Sequence, residues 1–179
     1  MYNHQTAIAL LGSKSQPSEA AERLVATLVR ELNEANYVTL ASDEHGCLET
    51  ILSVNRAANG LVVLASAASE SPGEGVKILQ SSSILGRMEA ILRTADAVVI
   101  TDGGLDTLAI LFEVWSYGAS PNLPFRPVVL VGDMWADGLE ALMKAGWISK
   151  SEQAMVSTVR TAQEAVESLR YYAGAGHGK

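Results

Sequence analysis

A short apolar run, a glycine turn and a helical pattern follow one another within residues 95–114, and this stretch constrains the fold most strongly. The run from Ala97 to Ile100 is almost fully apolar, which is typical of a strand buried on both faces of a parallel sheet. Turn residues at 101–104 end the run. From Asp106 onward the apolar residues recur at helical spacing, so the pattern predicts that a helix starts there.

Such a layout places backbone N–H groups and a helix N-terminus at the carboxyl edge of a sheet. Open α/β folds bind ligands at that edge, and many of these ligands are phosphorylated. A tight strand-to-helix turn that needs glycine and binds nothing explains the same pattern. The pattern alone therefore leaves both interpretations open.

Strand-like and helix-like segments alternate along the rest of the chain, with no repeat and no linker. The predicted strands lie at 7–11, 37–40, 60–65, 76–79, 97–100, 127–131 and 155–157. Alternation of this kind favours a parallel sheet with helices on both faces. We expect a three-layer α/β/α Rossmann-like sandwich with a doubly wound, mainly parallel sheet of about six or seven strands.

The 179 residues are enough for one domain with a sizeable core. We expect residues 1–173 to form this domain and residues 174–179 to form a flexible tail. A polar loop is expected at 116–126. Serines at 81–83 offer an N-cap for the helix that follows them, and Thr161 and Glu164 are spaced as a capping box.

Charge and composition exclude several classes of partner. The net charge of -7 argues against nucleic acid, which needs a basic patch, and against anionic membranes. No run of about eighteen apolar residues is present to span a bilayer, and the N-terminal segment lacks the basic region of a secretory signal. The single cysteine, Cys47, excludes an internal disulfide and is expected to be a small buried side chain. These features favour a cytoplasmic protein.

The residues around the central turn resemble the signature of the LOG ("Lonely Guy") family, whose older label is possible lysine decarboxylase. The family signature is an Arg-Lys pair followed further along the chain by P-G-G-x-G-T-x-x-E. Arg87, Gly103, Gly104 and Thr107 match it in register. This sequence departs from the signature at four positions. Met88 replaces the lysine, Asp102 the proline, Asp106 the third glycine and Ile110 the glutamate.

Two earlier turns carry the resemblance further. Gly12 and Ser13 follow the first predicted strand, where LOG-like proteins have a Gly-Ser pair that lines the nucleotide pocket. After the second predicted strand these proteins have a glycine-rich turn, of which only Gly46 clearly remains. Two acids and a histidine, at 43–45, stand where bare backbone should approach a ligand.

The resemblance implies an activity and a set of site residues. LOG enzymes cleave the N-glycosidic bond of purine riboside 5′-monophosphates, including cytokinin nucleotides. Their glutamate serves the sugar, their arginine lies beside it, and the glycine turn holds the 5′-phosphate. The candidate catalytic residues here are Arg87 and Glu113, the latter one helical turn after Ile110. The candidate ligand-binding residues are Gly12, Ser13, Gly46, Asp102, Gly103, Gly104, Asp106 and Thr107.

Two departures from the signature weaken the expected activity. Ile110 cannot oppose the positive charge that develops on the ribose, and loss of a catalytic acid or base costs on the order of 10²–10⁴-fold. An aspartate that caps a helix accepts the N–H bonds a phosphate would use, so we expect Asp106 to act as an N-cap and to repel phosphate. The alternative is a changed ligand, such as a cation, a metal or a nucleoside without phosphate, at a mouth formed by Asp43, Asp102 and Asp106.

We therefore expect a protein that binds a nucleotide or another small molecule, with lost or much reduced phosphoribohydrolase activity. We expect no cofactor, no metal, and assembly as a homodimer. Three alternatives stay open. They are an active phosphoribohydrolase with a rearranged acid, a nucleotide-sugar or cofactor carrier, and a structural oligomer subunit.

Overall fold

The computed structural model describes residues 5–101, 103–118 and 126–176. The strands are β1 (Ala7–Leu11), β2 (Val38–Ser42), β3 (Val62–Ser66), β4 (Val76–Gln80), β5 (Ala97–Thr101), β6 (Val128–Val131) and β7 (Val156–Val159). The helices are α1 (Glu19–Glu34), α2 (Leu48–Ala57), α3 (Ile84–Thr94), α4 (Leu105–Gly118), α5 (Met134–Lys144), α6 (Lys150–Gln153) and α7 (Ala162–Gly176).

All seven strands form one parallel sheet in the order β4-β3-β2-β1-β5-β6-β7. The chain moves outward from β1 to β4 and then returns to the other side of β1 with β5. The strand order therefore reverses between β1 and β5, which is where open α/β sheets bind ligands. The expectation of a three-layer Rossmann-like sandwich is confirmed.

Helices cover both faces of the sheet and enclose two separate cores. Ala9 and Leu11 of β1 pack into the core that lies under α3, α4 and α5, whereas Ile8 and Leu10 pack into the core under α1, α2 and α7. Buried residues on both faces explain why the central strands read as continuous apolar runs. In this register Leu10 lies beside Val99 of β5.

Local hydrogen bonds set the starts of several helices, as the sequence predicts. Ser83 precedes α3 and its hydroxyl accepts the N–H of Gly86 at 3.0 Å. Thr161 and Glu164 form a capping box before α7, with bonds of 3.2 and 3.1 Å. These caps satisfy backbone donors that the first helical turn leaves free.

The structure differs from the sequence-based expectations at a few boundaries. The short helix α6 was not predicted, and it begins at a capping box formed by Ser149 and Glu152. Helix α4 continues to Gly118, which is three residues into the predicted loop, and residues 119–125 lie outside the described ranges. Helix α7 ends at Gly176, within the segment expected to be a tail. No helix of the described part is long and apolar enough to cross a membrane.

We expect Leu111→Ala in α4 to lower the free energy of unfolding by about 2–5 kcal/mol, because the Leu111 side chain is fully buried and its loss leaves a cavity. Leu105→Ala is the matched control, since Leu105 lies on the same helix and is 83% exposed. The control should change the stability by less than about 0.5 kcal/mol. Urea unfolding measures both, and equal losses would contradict this packing of α4.

Candidate functional site

A cavity of about 220 Å³ lies at the carboxyl edge of the sheet, beside the β1–β5 junction. The ends of β1 and β2 and the first turns of α3 and α4 surround it. Its apolar lining consists of Leu11, Leu85, Met88, Ile91, Ala109 and Ile110. Its polar lining consists of Gly12, Lys14, Ser42, Glu44, His45, Arg87, Asp106 and Glu113.

Arg87 of α3 is buried in the cavity wall and is neutralised by two carboxylates. Its Nη2 donates to Glu44 Oε1 at 2.8 Å, and its Nε lies 3.3 Å from Asp43 Oδ1, an ion contact outside hydrogen-bond geometry. Glu44 Oε2 also accepts from Lys14 Nζ at 2.9 Å. The hydrogen bond from Lys14 is the main cause that lowers the pKa of Glu44. Both cations of the cavity are thus already paired within the protein.

His45 follows β2 and contributes a buried, neutral imidazole. Its Nδ1 accepts the N–H of Cys47 at 3.0 Å, so its Nε2 carries the proton. Burial lowers the pKa of His45 to about 4, and the ring is neutral at pH 7. Nε2 has no hydrogen-bond partner among the described residues. A Cβ at Gly12 would lie 2.9 Å from Nε2, so a larger residue at Gly12 would collide with the imidazole.

The carboxylate of Asp106 binds the loop that follows β1. Its Oδ2 accepts the N–H of Lys14 at 2.7 Å and the hydroxyl of Ser13 at 2.8 Å, and its Oδ1 accepts the N–H of Thr107 at 3.0 Å. Burial by itself raises the pKa of Asp106, but these hydrogen bonds outweigh it, and the pKa lies below its usual value. An anion bound here would use the same donors.

The expectation that Asp106 is an N-cap is wrong. Helix α4 begins at Leu105, so Asp106 is the second residue of the helix rather than the residue before it. Asp106 Oδ1 still accepts one N–H group of the first turn, that of Thr107. The remaining acceptor capacity of the carboxylate goes to a loop that is distant in sequence.

Ile110 and Glu113 lie on successive turns of α4 and both line the cavity. Ile110 is 6% exposed and belongs to the core under α3, α4 and α5. Glu113 is partly buried, and this burial raises its pKa. Among the described residues Glu113 has no ion pair and no side-chain hydrogen bond. Its carboxylate is the only one of the described cavity lining with neither a hydrogen bond nor an ion pair, and the charge of Lys14, which is paired with Glu44, only partly offsets the effect of burial on its pKa.

Glycines hold the loops of the site close together. The N–H of Gly46 donates to Ser13 O at 2.8 Å, and a Cβ at Gly46 would overlap Ser15 O. A Cβ at Gly103 would overlap the Oγ1 of buried Thr107. Only glycine fits at either position, because the overlapping atoms belong to neighbouring backbone or to a buried side chain.

The structure thus brings some of the predicted site residues together and separates others. Gly12, Arg87, Asp106 and Glu113 line the cavity. Ser13 and Gly103 line an adjacent hollow of about 310 Å³ instead. Gly46, Gly104 and Thr107 support the surrounding loops without lining either space. Asp102 lies outside the described residues, so the predicted mouth of Asp43, Asp102 and Asp106 is not described as a whole.

Sequence reasoning missed several residues of the cavity. Lys14 was not singled out, and Glu44 was noted only as an acid that replaces the expected glycine-rich turn. Both follow the end of a parallel strand, β1 or β2, and that position is the signal that could have identified them as site residues. Leu85 and Ile91 of α3 were not predicted as site residues either. In the described part of the chain, no group of three or more His, Cys, Asp or Glu side chains is arranged to hold a metal ion.

Comparison with protein families places the chain in a known group. The family model described as possible lysine decarboxylase matches residues 46–169. The chain belongs to the possible lysine decarboxylase family. This is the LOG family that the signature around Arg87, Gly103 and Thr107 resembles. No curated protein sequence matches the chain.

Solved structures of low sequence identity share the fold of this LOG-family chain. The molybdenum cofactor binding protein of Rippkaea orientalis is 16% identical, with a TM-score of 0.73 over 94% of this chain and 98% of its own. The molybdenum cofactor carrier protein of Chlamydomonas reinhardtii is 14% identical, with a TM-score of 0.72 over 95% and 99%. The protein TM1055 is 20% identical, with a TM-score of 0.70 over 93% and 99%. At these identities the likeness shows the fold.

We expect Asp106→Asn to destabilise the protein by about 1 kcal/mol at pH 7, because the amide group cannot satisfy the same donors. The pKa of Asp106 is lowered in the folded protein, so its stabilisation is present above the unfolded pKa of about 3.9 and is lost as the pH falls through the folded pKa. The difference in unfolding free energy between wild type and variant should therefore shrink below about pH 4.

Urea unfolding at pH 7 and at pH 2 to 3 measures this difference. Asp137→Asn is the control, because Asp137 is an exposed first-turn aspartate of α5. It should change the stability little at either pH. Two results would argue against the described role of the carboxylate. One is an Asp106→Asn variant as stable as the wild type at pH 7, and the other is a loss of stability that is as large at the lower pH as at pH 7.

Proposed function

We propose that this LOG-family protein binds a small molecule in the cavity beside β1 and β5 and does not hydrolyse purine riboside 5′-monophosphates at an appreciable rate. The observation that carries the proposal is the hydrogen bonding of Asp106. Its carboxylate takes the Lys14 N–H and the Ser13 hydroxyl, which are donors that a phosphate would need. A second anion at this place would meet the negative charge of Asp106, and these two donors would already be engaged.

The position of the remaining acid supports the same conclusion. N-glycosidic cleavage needs a carboxylate close to the ribose, and Ile110 supplies none. Glu113 lies three residues further along α4, which is a displacement of about 4.5 Å at 1.5 Å per residue. Catalytic groups must be held within about 0.5 Å of their productive positions, so Glu113 is a poor replacement for the signature glutamate.

Several features favour binding over a purely structural role. The cavity lies where the strand order reverses, and it combines an apolar wall with a few fixed polar groups, as small-molecule sites do. Buried His45 has an N–H beside it that finds no partner among the described residues. The two molybdenum-cofactor proteins of the same fold give precedent for a binding or carrier role, and a pterin therefore belongs among the ligands tested.

We expect the wild-type protein to release adenine from AMP very slowly or not at all. Asp106→Gly alone should strengthen phosphate binding without turnover, and Ile110→Glu alone should give little activity because the substrate is still repelled. The double variant should exceed the product of the single effects, since groups that act as one unit are non-additive. Adenine release from the four proteins is the measurement.

Leu105→Glu is the control for Ile110→Glu, because it adds a carboxylate to the same helix at an exposed position. It should yield no activity in either background. A wild-type turnover of about one per second, within the ordinary range of enzymes, would overturn the proposal and point to Glu113 or another cavity acid as the working group.

Ligand binding itself is tested by thermal shift with nucleosides, nucleoside monophosphates and a pterin. A ligand that binds only the folded protein raises its melting temperature. Gly12→Val, which would collide with His45 of the cavity wall and with buried Thr101, should abolish the shift produced by any compound that binds there. Absence of a shift with every compound would favour the structural-subunit alternative.

We also propose that the protein is a homodimer that pairs through α3 and α4. These helices flank the cavity and carry the exposed apolar side chains of Leu85 and Phe112. Two-fold pairs are the commonest oligomers. Phe112→Glu should convert a dimer to a monomer, whereas Tyr171→Glu, an exposed aromatic residue of α7, should not. Light scattering that gave a wild-type mass near 18.9 kDa at micromolar concentrations would contradict the dimer.

The remaining features concern where the protein acts. Cys47 is buried, and burial raises the pKa of its thiol, so it is the unreactive kind of cysteine found in core positions. A single cysteine and a net charge of -7 are in keeping with a cytoplasmic protein without a nucleic-acid partner. We infer that location and that restriction on partners.

A further inference from the structure

Some charged side chains of the cavity have partners within the protein and others do not, and this difference bears on what the cavity binds. Glu44 is held by Lys14 and Arg87. Asp106 is held by donors of Ser13, Lys14 and Thr107. Both cations of the lining are therefore engaged by Glu44, and neither is free to receive an anionic ligand. A phosphate or carboxylate that enters would have to break existing ion pairs.

Glu113 is the exception among the carboxylates of the described lining. It is partly buried in the cavity wall and has no hydrogen bond or ion pair in the described part of the chain, and the charge of Lys14, which is paired with Glu44, offsets the effect of this burial only in part. Removing an ionised carboxylate from water without a partner is unfavourable. A positively charged group in the cavity would relieve that cost.

A second, independent observation points to an occupant of the same cavity. The side chain of His45 is 7% exposed, lines the cavity, and carries an Nε2–H with no partner among the described residues. Buried donors are nearly always hydrogen-bonded in native proteins. The wall of the cavity thus holds a carboxylate without an ion pair and, buried just behind its surface, an imidazole N–H without a partner, together with the apolar side chains of Leu11, Met88 and Ile110.

We propose that the cavity selects an organic cation, a small molecule with an apolar body and a protonated nitrogen that pairs with Glu113, over an anionic or phosphorylated molecule of the same shape. This inference rests on the proposed binding function and names the class of ligand. Glu113 is the specificity-determining residue, and the ion pairs of Lys14 and Arg87 exclude the anion. Apolar contact with the body of the ligand supplies affinity that does not depend on charge.

Three probes of nearly equal size test the inference, since they differ mainly in charge. Benzamidine is a cation, benzamide is neutral and benzoate is an anion. The protein is titrated with each probe, and the changes in the chemical shifts of its backbone amides give the affinity for that probe. Benzamidine should bind at least about tenfold more tightly than benzoate, which corresponds to about 1.4 kcal/mol. Benzamide should fall between them.

Variants of Glu113 assign the preference to its carboxylate. Glu113→Gln should weaken benzamidine binding about tenfold and leave benzamide binding unchanged, because only the charge is removed. Glu113→Asp keeps the charge and should preserve the order of the three probes. Glu167→Gln is the matched control, since Glu167 is exposed on α7, which packs on the opposite face of the sheet. It should leave all three affinities as in the wild type.

The outcomes separate this inference from the binding function on which it rests. Benzoate binding as tightly as benzamidine, or Glu113→Gln leaving benzamidine binding unchanged, overturns the cation preference while the binding function stands. Preferential binding of nucleoside monophosphates over nucleosides in the thermal-shift panel does the same. If no probe and no member of the panel binds, the binding function fails, and the inference fails with it.

Discussion

The hydrogen bonds of Asp106 hold the site together, because they join the start of α4 to the loop after β1. The carboxylate fixes the backbone of Lys14 and the hydroxyl of Ser13. The side chain of Lys14 then reaches Glu44, and Glu44 in turn binds Arg87 of α3. A continuous chain of polar contacts thus connects α4, the two loops and α3. Removing the Asp106 carboxylate would release the loop after β1 and disturb the ion pairs of Lys14, Glu44 and Arg87.

In this arrangement the carboxylate of Asp106 takes the place that an anionic ligand would occupy at the start of α4. Backbone N–H groups and hydroxyls at a helix N-terminus favour negative charge, and Asp106 meets that preference from within the chain. The same holds at the neighbouring turn, where Asp43 and Glu44 neutralise buried Arg87. Ionised side chains that are partly buried need such partners. The donors that bind Asp106 and the two cations Lys14 and Arg87 are consequently engaged by carboxylates of the protein itself.

The sequence predicts those features that depend on neighbours along the chain. Continuous apolar runs such as Ala97–Ile100 indicate strands buried on both faces, and Ser83 indicates the start of α3 by a purely local hydrogen bond. The contact of Asp106 with Ser13 spans 93 positions, and no local rule specifies it. The capping rule assigned Asp106 to its own helix, whereas tertiary packing gave its carboxylate to another loop. The ion pairs of Arg87 were beyond prediction for the same reason.

Two of the four departures from the LOG signature, Asp106 and Ile110, fall on one face of α4 together with Glu113, and this explains how the fold persists while the residues of the cavity differ. Residues three or four apart on a helix are neighbours, so Asp106, Ile110 and Glu113 face the same cavity on successive turns. From the N-terminus onward that face carries Asp106, which is hydrogen-bonded, then apolar Ile110, and then Glu113, which has no hydrogen bond or ion pair among the described residues. Leu111, on the opposite side, stays in the core. Of the three residues on the cavity face only Ile110 also belongs to the core, so Asp106 and Glu113 are separate from the residues that pack α4 on the sheet.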